Sequence, residues 1–232
     1  MIRWPPPEGQ GEEFARLLGQ ARELRMHHGV LLTGSRGVGK TMAAQCLAQA
    51  LLCPADNPDQ PCGVCPACVH IDNHPDLHRV VIPEDKEEIP VDLVRELRQS
   101  LQRLPVEGRA RVVLVDPADR LNVQGQNALL KTLEEPGSRT FLLLPTRRPE
   151  GLLETVRSRV SELRLRPLAA DRVDALLAQE GIDAATRGWA VAHADGCVGW
   201  AFELAEGGDR ALFGEIEAFL AGQGSPVATA RS

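Results

Sequence analysis

No stretch of this 232-residue sequence approaches the ~20 consecutive apolar residues that a membrane-spanning helix needs. Met1 to Gln10 is proline-rich and lacks the apolar core of a secretory signal. Both absences predict a cytoplasmic protein, in which cysteines stay reduced. There is no basic surplus either: 26 Lys and Arg stand against 32 Asp and Glu, a net charge of -6. A chain that gripped nucleic acid alone by neutralising phosphates would carry the opposite sign, so any DNA contact is expected to be shared with partners. Internal repeats are absent as well. What remains, 43% apolar and 25% charged residues, suits one or two globular domains with a real core.

The most informative stretch is Gly34-Ser35-Arg36-Gly37-Val38-Gly39-Lys40-Thr41, which fits the phosphate-binding pattern G-x-x-x-x-G-K-[ST] at every fixed position. Glycines let backbone N–H groups approach phosphate oxygens, Lys40 would reach the terminal phosphates, and Thr41 would offer its hydroxyl to Mg²⁺. An apolar run, Val30 to Leu32, precedes the loop, and an Ala/Leu-rich helical pattern, Met42 to Leu52, follows it. Strand, loop and helix therefore come in the required order.

Four of the six cysteines cluster directly after that helix, as Cys53, Cys62, Cys65 and Cys68. Two-residue gaps let a tight turn present two sulfurs to one ion, and four thiolates suit tetrahedral, structural Zn²⁺. Disulfides would need an oxidising compartment, and a redox C-x-x-C pair needs only two cysteines. Cys46 and Cys197 read as small packing residues, and His70 and His74 as surface or packing residues rather than ligands.

Hydrophobic spacing predicts a helix over residues 11 to 28, with His27 and His28 as cations at its C-terminal dipole. Strands are expected at 77 to 82, 111 to 116, 140 to 144 and 162 to 165. Helices are expected at 91 to 104, 123 to 135 and 152 to 156. Arg111 to Asp116 is a continuous apolar strand ending in a carboxylate, the arrangement that sets an acid near Mg²⁺. The following residue is Pro117, where ATPases of this layout usually carry the carboxylate that polarises water. Beyond Pro167 only helical patterns remain, at 172 to 179, 184 to 193, 200 to 205 and 211 to 220. Residues 221 to 232 read as a disordered tail. The expected architecture is α/β: a P-loop domain over 1 to 166 with a parallel sheet flanked by helices and a cysteine module at 53 to 68, then a small all-helical domain over 167 to 220.

Asn127-Ala-Leu-Leu-Lys-Thr-Leu-Glu-Glu-Pro136 resembles the segment shared by bacterial clamp-loader subunits of the AAA+ superfamily, and the cysteine insertion resembles their zinc module. The resemblance covers about residues 10 to 205 and implies a P-loop AAA+ domain with a helical lid. Within the family, three departures are similar to the delta prime branch rather than to the gamma/tau ATPase. Pro117 stands in place of an acid. Gly199, in Gly196-Cys197-Val198-Gly199-Trp200, stands where gamma/tau has a phosphate-sensing Arg. Thr146 to Arg159 resembles the delta prime sensor and arginine-finger region.

This resemblance implies that Gly34, Gly37, Gly39, Lys40, Thr41, Asp116 and Thr146 hold ATP and Mg²⁺ with weak or absent hydrolysis. It implies that Arg159, in Ser158-Arg159-Val160, serves as a finger in a neighbouring subunit's site. On spacing alone Arg159 is a surface arginine before a strand. The implied partners are gamma/tau and delta subunits, with the sliding clamp and primed DNA reached through the complex, as part of a DNA-directed DNA polymerase (nucleotidyltransferase) holoenzyme. A gamma/tau-like ATPase using Lys40, Thr41 and Asp116 is the alternative, and a free-standing zinc-knuckle DNA-binding module is disfavoured by charge. The family's third, collar domain has no room before Ser232; a truncated chain and a compromised pentamer both fit that end.

Overall fold

The structure is a computed structural model, and it describes residues 6–55, 61–101, 105–107 and 109–207. The chain divides at Arg166/Pro167 into two compact units. The predicted helix at 211 to 220 and the tail lie outside the described residues.

In the first unit, helix α1 (Gly11–Arg22) leads to strand β1 (Gly29–Thr33), and α2 (Lys40–Leu52) follows the glycine-rich loop. The short α3 (Pro66–Val69) belongs to the cysteine module. Then come β2 (Leu77–Val81), α4 (Val91–Ser100), β3 (Arg111–Asp116), α5 (Val123–Glu134), β4 (Thr140–Pro145), α6 (Glu154–Arg157) and β5 (Ser161–Arg164). The strands form one five-stranded sheet in the order β2-β3-β4-β1-β5, every pairing parallel. β1 and β4 are buried along their whole length, which is why they read as unbroken apolar runs rather than alternating ones. Leu31, Val113, Val115, Leu142 and Leu144 from the sheet pack with Val94 and Leu97 of α4 and Leu129 and Leu133 of α5. α2 is buried nearly all round, and its small Ala43, Ala44, Ala48 and Ala50 let it sit close to its neighbours.

α1 ends at Arg22, well short of the expected residue 28, and Leu24 takes a positive φ of 57° that breaks the helix. His27 and His28 therefore lie on the approach to β1, stacked on each other with ring centroids 4.3 Å apart. His28 Nε2 sits 3.0 Å from the Leu133 carbonyl oxygen, and burial together with His27 holds its pKa below the usual histidine range. A role as dipole-capping cations is thus overturned. α4 stops at Ser100, with residues 102–104 of its predicted extension outside the described set.

The second unit contains α7 (Ala170–Gln179), α8 (Ala184–His193) and α9 (Val198–Ala205). Their core is Val173, Leu177, Ala190, Ala194, Ala201 and Leu204. Asp183 caps α8, its carboxylate accepting from the backbone N–H groups of Ala185 and Thr186. Gly199 lies in the first turn of α9, and Cys197 is buried just before it.

Candidate functional site

Parallel strands bring everything that follows a strand to one edge of the sheet, and the nucleotide-site residues named above share that edge. Gly34 leaves β1 with φ +142°, and a Cβ there would lie 2.9 Å from the Leu165 carbonyl oxygen beyond β5. Only glycine fits. Lys40 opens α2 and is buried, its Nζ donating to the carbonyls of Gly34 (2.9 Å) and Ser35 (2.7 Å), so the ammonium is folded over its own loop. Thr41 Oγ1 donates to Asp116 Oδ2 at 2.7 Å across to the end of β3. Burial pushes the Asp116 pKa up, against the opposing pull of the Thr41 hydroxyl and the Lys40 charge. A half-buried carboxylate beside a hydroxyl at the foot of a phosphate loop is a donor set that fits Mg²⁺.

The next carboxylate along is Asp119, which sequence reading did not single out. Its side chain is 5% exposed, and Oδ1 accepts from the Thr146 hydroxyl (2.8 Å) and the Arg147 N–H (3.3 Å), while Arg148 Nε lies 3.5 Å from Oδ2. Burial works to raise its pKa, but these hydrogen bonds outweigh it and the net shift is downward. A carboxylate so occupied, with a depressed pKa, is a poor base. Asp119 thus does not stand in for the acid that Pro117 lacks, and Thr146, fully buried, spends its hydroxyl on Asp119. The partnership joins residues 27 apart in sequence on two strand ends, and only the sheet order brings them together. Beside them lies a cavity of about 560 Å³ whose lining includes Arg36, Arg120, Arg147 and Arg148.

Arg159 lies at the other edge. It precedes β5, whose Ser161 pairs in register with Val30 and whose Arg164 pairs with Thr33. Gly29 is where this edge closes up: a Cβ there would lie 2.9 Å from Leu133 Cδ2, 3.0 Å from Val160 Cγ1 and 3.4 Å from the Arg159 carbonyl oxygen. From Gly29 to Gly34 the strand climbs about 16 Å. The guanidinium of Arg159 contacts Glu134 Oε1 (3.0 Å), the Thr155 carbonyl (3.0 Å) and Ser158 Oγ (3.3 Å).

Cys53 caps the C-terminus of α2, and Cys65 opens α3. The Sγ atoms of Cys53, Cys62, Cys65 and Cys68 all lie within 4.8 Å of one another, with separations of 3.6 Å (Cys53–Cys62), 3.9 Å (Cys53–Cys65) and 4.0 Å (Cys62–Cys68). Tetrahedral Zn²⁺ with ~2.3 Å bonds needs edges of about 3.8 Å, so these sulfurs fit it. The Val64 backbone N–H pulls the Cys62 thiol down to about 6, whereas burial pushes Cys65 and Cys68 up. Four sulfurs this close become thiolates together only around a cation. His74 stays out of the cluster: it is buried, its Nδ1 accepting from the Asp76 N–H (3.1 Å) and its Nε2 lying 3.0 Å from Glu107 Oε2. His70 is exposed. Arg22, missed in the sequence, is buried and donates to the carbonyls of Ala50 (3.1 Å), Cys53 (2.7 Å) and Ala55, tying α1 to the start of the module.

Residues 9–169 match the family described as DNA polymerase III, delta subunit. The DNA polymerase III subunit gamma/tau of Mycobacterium tuberculosis (strain ATCC 25618 / H37Rv) is 40% identical over 163 residues, 68% of this chain and 28% of that protein. The delta' subunit of Escherichia coli (strain K12) is 36% identical over 160 residues, 68% of this chain and 47% of that protein. The match therefore spans less than half the length of these relatives. Among solved structures, a gamma subunit-related protein from Thermotoga maritima superposes with a TM-score of 0.57 at 23% identity, covering 87% of this chain and 62% of that one. The Thermotoga maritima RuvB Holliday junction branch migration motor gives 0.58 at 19%, covering 86% and 60%. At such identities these two speak to the fold, which is the AAA+ P-loop fold. With a family match across most of its first unit and relatives named for both gamma/tau and delta', this chain belongs to the DNA polymerase III clamp-loader family.

Proposed function

We propose that this chain acts as a delta prime-type subunit of a DNA polymerase III clamp loader, helping to load the sliding clamp onto primed DNA without hydrolysing ATP efficiently itself. The observation that carries this reading is the opposition of the two edges. The phosphate loop has Pro117 rather than an acid beside Asp116, and Arg159 lies about one strand length away from that loop, out of reach of its own nucleotide. An arginine so located serves a phosphate only in another molecule, where its guanidinium neutralises charge developing on the transferred group. Gamma/tau and delta subunits are the partners this reading requires, Zn²⁺ on Cys53, Cys62, Cys65 and Cys68 is structural, and the assembly works in the cytoplasm. Bound ATP would be held by the loop and by Thr41 and Asp116 through Mg²⁺.

A second reading, a gamma/tau-like ATPase, is favoured by the intact Thr41–Asp116 contact and by the 40% identity to gamma/tau. Turnover separates the two. The isolated protein should hydrolyse ATP no faster than its Lys40→Ala variant, and clear Lys40-dependent turnover would establish the second reading. In a loader reconstituted with gamma/tau and delta, Arg159→Ala should slow DNA-stimulated hydrolysis while leaving melting temperature and zinc content unchanged. An unaltered rate would remove Arg159 from the mechanism.

A further inference from the structure

Glu134 is the last residue of α5, where the helix dipole disfavours a carboxylate. A negative charge at that position gains nothing from the helix dipole. Its partner is Arg159, whose Nη2 lies 3.0 Å from Glu134 Oε1. Both side chains remain open to solvent, at 38% exposure for Arg159 and 49% for Glu134. The other terminal nitrogen of the guanidinium is also engaged in cis. Nη1 donates to the carbonyl of Thr155, four residues back in α6, and to Ser158 Oγ. Arg159 lies two residues beyond the end of α6, and an arginine bonded to a carbonyl of that helix is folded back onto it and must let go of it to extend.

The geometry points to Glu134 as a positioning residue that stows the Arg159 finger in cis, an inference that rests on the reading of Arg159 as a finger acting in trans. Carboxylate and phosphate compete for the same guanidinium. Glu134 holds it while no phosphate is near, and a nucleoside triphosphate in a neighbouring subunit, bearing more charge and more acceptor oxygens, takes it over. Because the pair is exposed, the stowed state is only mildly favoured, and the finger is available in proportion to its unstowed fraction. The stow thus lowers the engagement rate without blocking it.

The test is Glu134→Gln in a loader reconstituted with gamma/tau and delta, assayed for DNA-stimulated ATP hydrolysis. Glutamine keeps the shape and removes the charge. The expected result is a rate about twofold to fivefold above the native subunit at low salt. The difference should shrink as salt screens the exposed pair, and should vanish when Arg159→Ala is also present. The melting temperature of the variant subunit should match the native one, which excludes an effect through folding. If Arg159→Ala slows the loader but Glu134→Gln leaves the rate unchanged or lowers it, the stow is wrong and the finger stands. If Arg159→Ala itself has no effect, the finger reading fails first. A salt-independent rise that survives in the Arg159→Ala background would also overturn the stow.

Discussion

Removing the metal from the cysteine cluster should cost the first unit a definite but not total share of its stability. In isolated zinc-finger peptides the metal supplies the whole folding free energy. Here the cluster hangs on a domain that has its own core, with a five-stranded sheet and α4 and α5 packed independently of any sulfur. The loss is therefore that of a cross-link. A zinc ion held there would tie the end of α2 at Cys53 to Cys68 in α3, closing a loop of about 15 residues, and a cross-link of that span contributes about 3 kcal/mol by restricting the unfolded chain. For a domain of this size each kcal/mol is worth about 2–4 °C, so metal loss should lower the melting temperature by about 6–12 °C and leave a cooperative transition. The damage should spread to α1 through Arg22, whose guanidinium depends on the carbonyls of Ala50, Cys53 and Ala55 being held in place. The assay pairs metal analysis and thiol counting with thermal melts before and after chelation, and repeats them on Cys62→Ser. Metal content well under one zinc per chain with all four thiols freely reactive would refute the zinc assignment. Full metal release with no change in melting temperature would refute the cross-link reasoning.

Two further changes probe the two edges of the sheet. Under the proposed nucleotide binding, Asp116→Asn should abolish the thermal shift expected from Mg²⁺ and nucleotide, yet leave the ligand-free variant at least as stable at pH 7. The sign follows from burial: with the folded pKa raised above the unfolded value, the stability that Asp116 contributes is full below the unfolded carboxylate range and is lost as pH rises through the folded value, so at pH 7 its charge is a cost. A ligand-free Asn variant that melts clearly lower than native would contradict this. Gly29→Ala should destabilise by about 1–3 kcal/mol, read from denaturant melts, because its Cβ would press on Leu133 and Val160 in a packed region. Since the strain falls at the Arg159 edge, nucleotide binding should persist, and a Gly29→Ala protein that loses nucleotide affinity while keeping its stability would show the two edges to be less separate than the register implies.

The fold was legible where hydrophobic period and loop chemistry agreed. Val30 to Leu32 and Arg111 to Asp116 read as buried strands because parallel strands covered on both faces leave unbroken apolar runs, and Gly34 to Thr41 fixed what joins β1 to α2. The end of α1 was not legible, because Leu24 continues the apolar spacing while taking a conformation that no spacing rule registers. The cysteine set was visible because the spacing of metal ligands is itself local. Asp119 was invisible for the opposite reason: its partners, Thr146 and Arg148, lie on a different strand end, and its chemistry comes from occupancy rather than from residue type. Arg22 was hidden in the same way, as a cation in the last turn of an amphipathic helix that reads as solvated until its three backbone acceptors are seen.

Chain order in a parallel sheet carries one inference further than any single motif. Residues that end or follow strands, among them Gly34, Asp116 and Thr146, are delivered to one edge, and residues that precede strands are delivered to the other. Arg159 precedes β5, whereas Leu165 follows it and packs its carbonyl against Gly34, so the same short strand reaches both edges. No rotamer of Arg159 spans the roughly 16 Å of intervening strand, since the side chain reaches less than half of that. An arginine on that side cannot serve a phosphate held by its own loop. Under the reading proposed above, the lone chain holds one half of each of two sites, a phosphate loop with Pro117 in place of an acid and an arginine out of reach of that loop, and each half is completed by a neighbouring subunit.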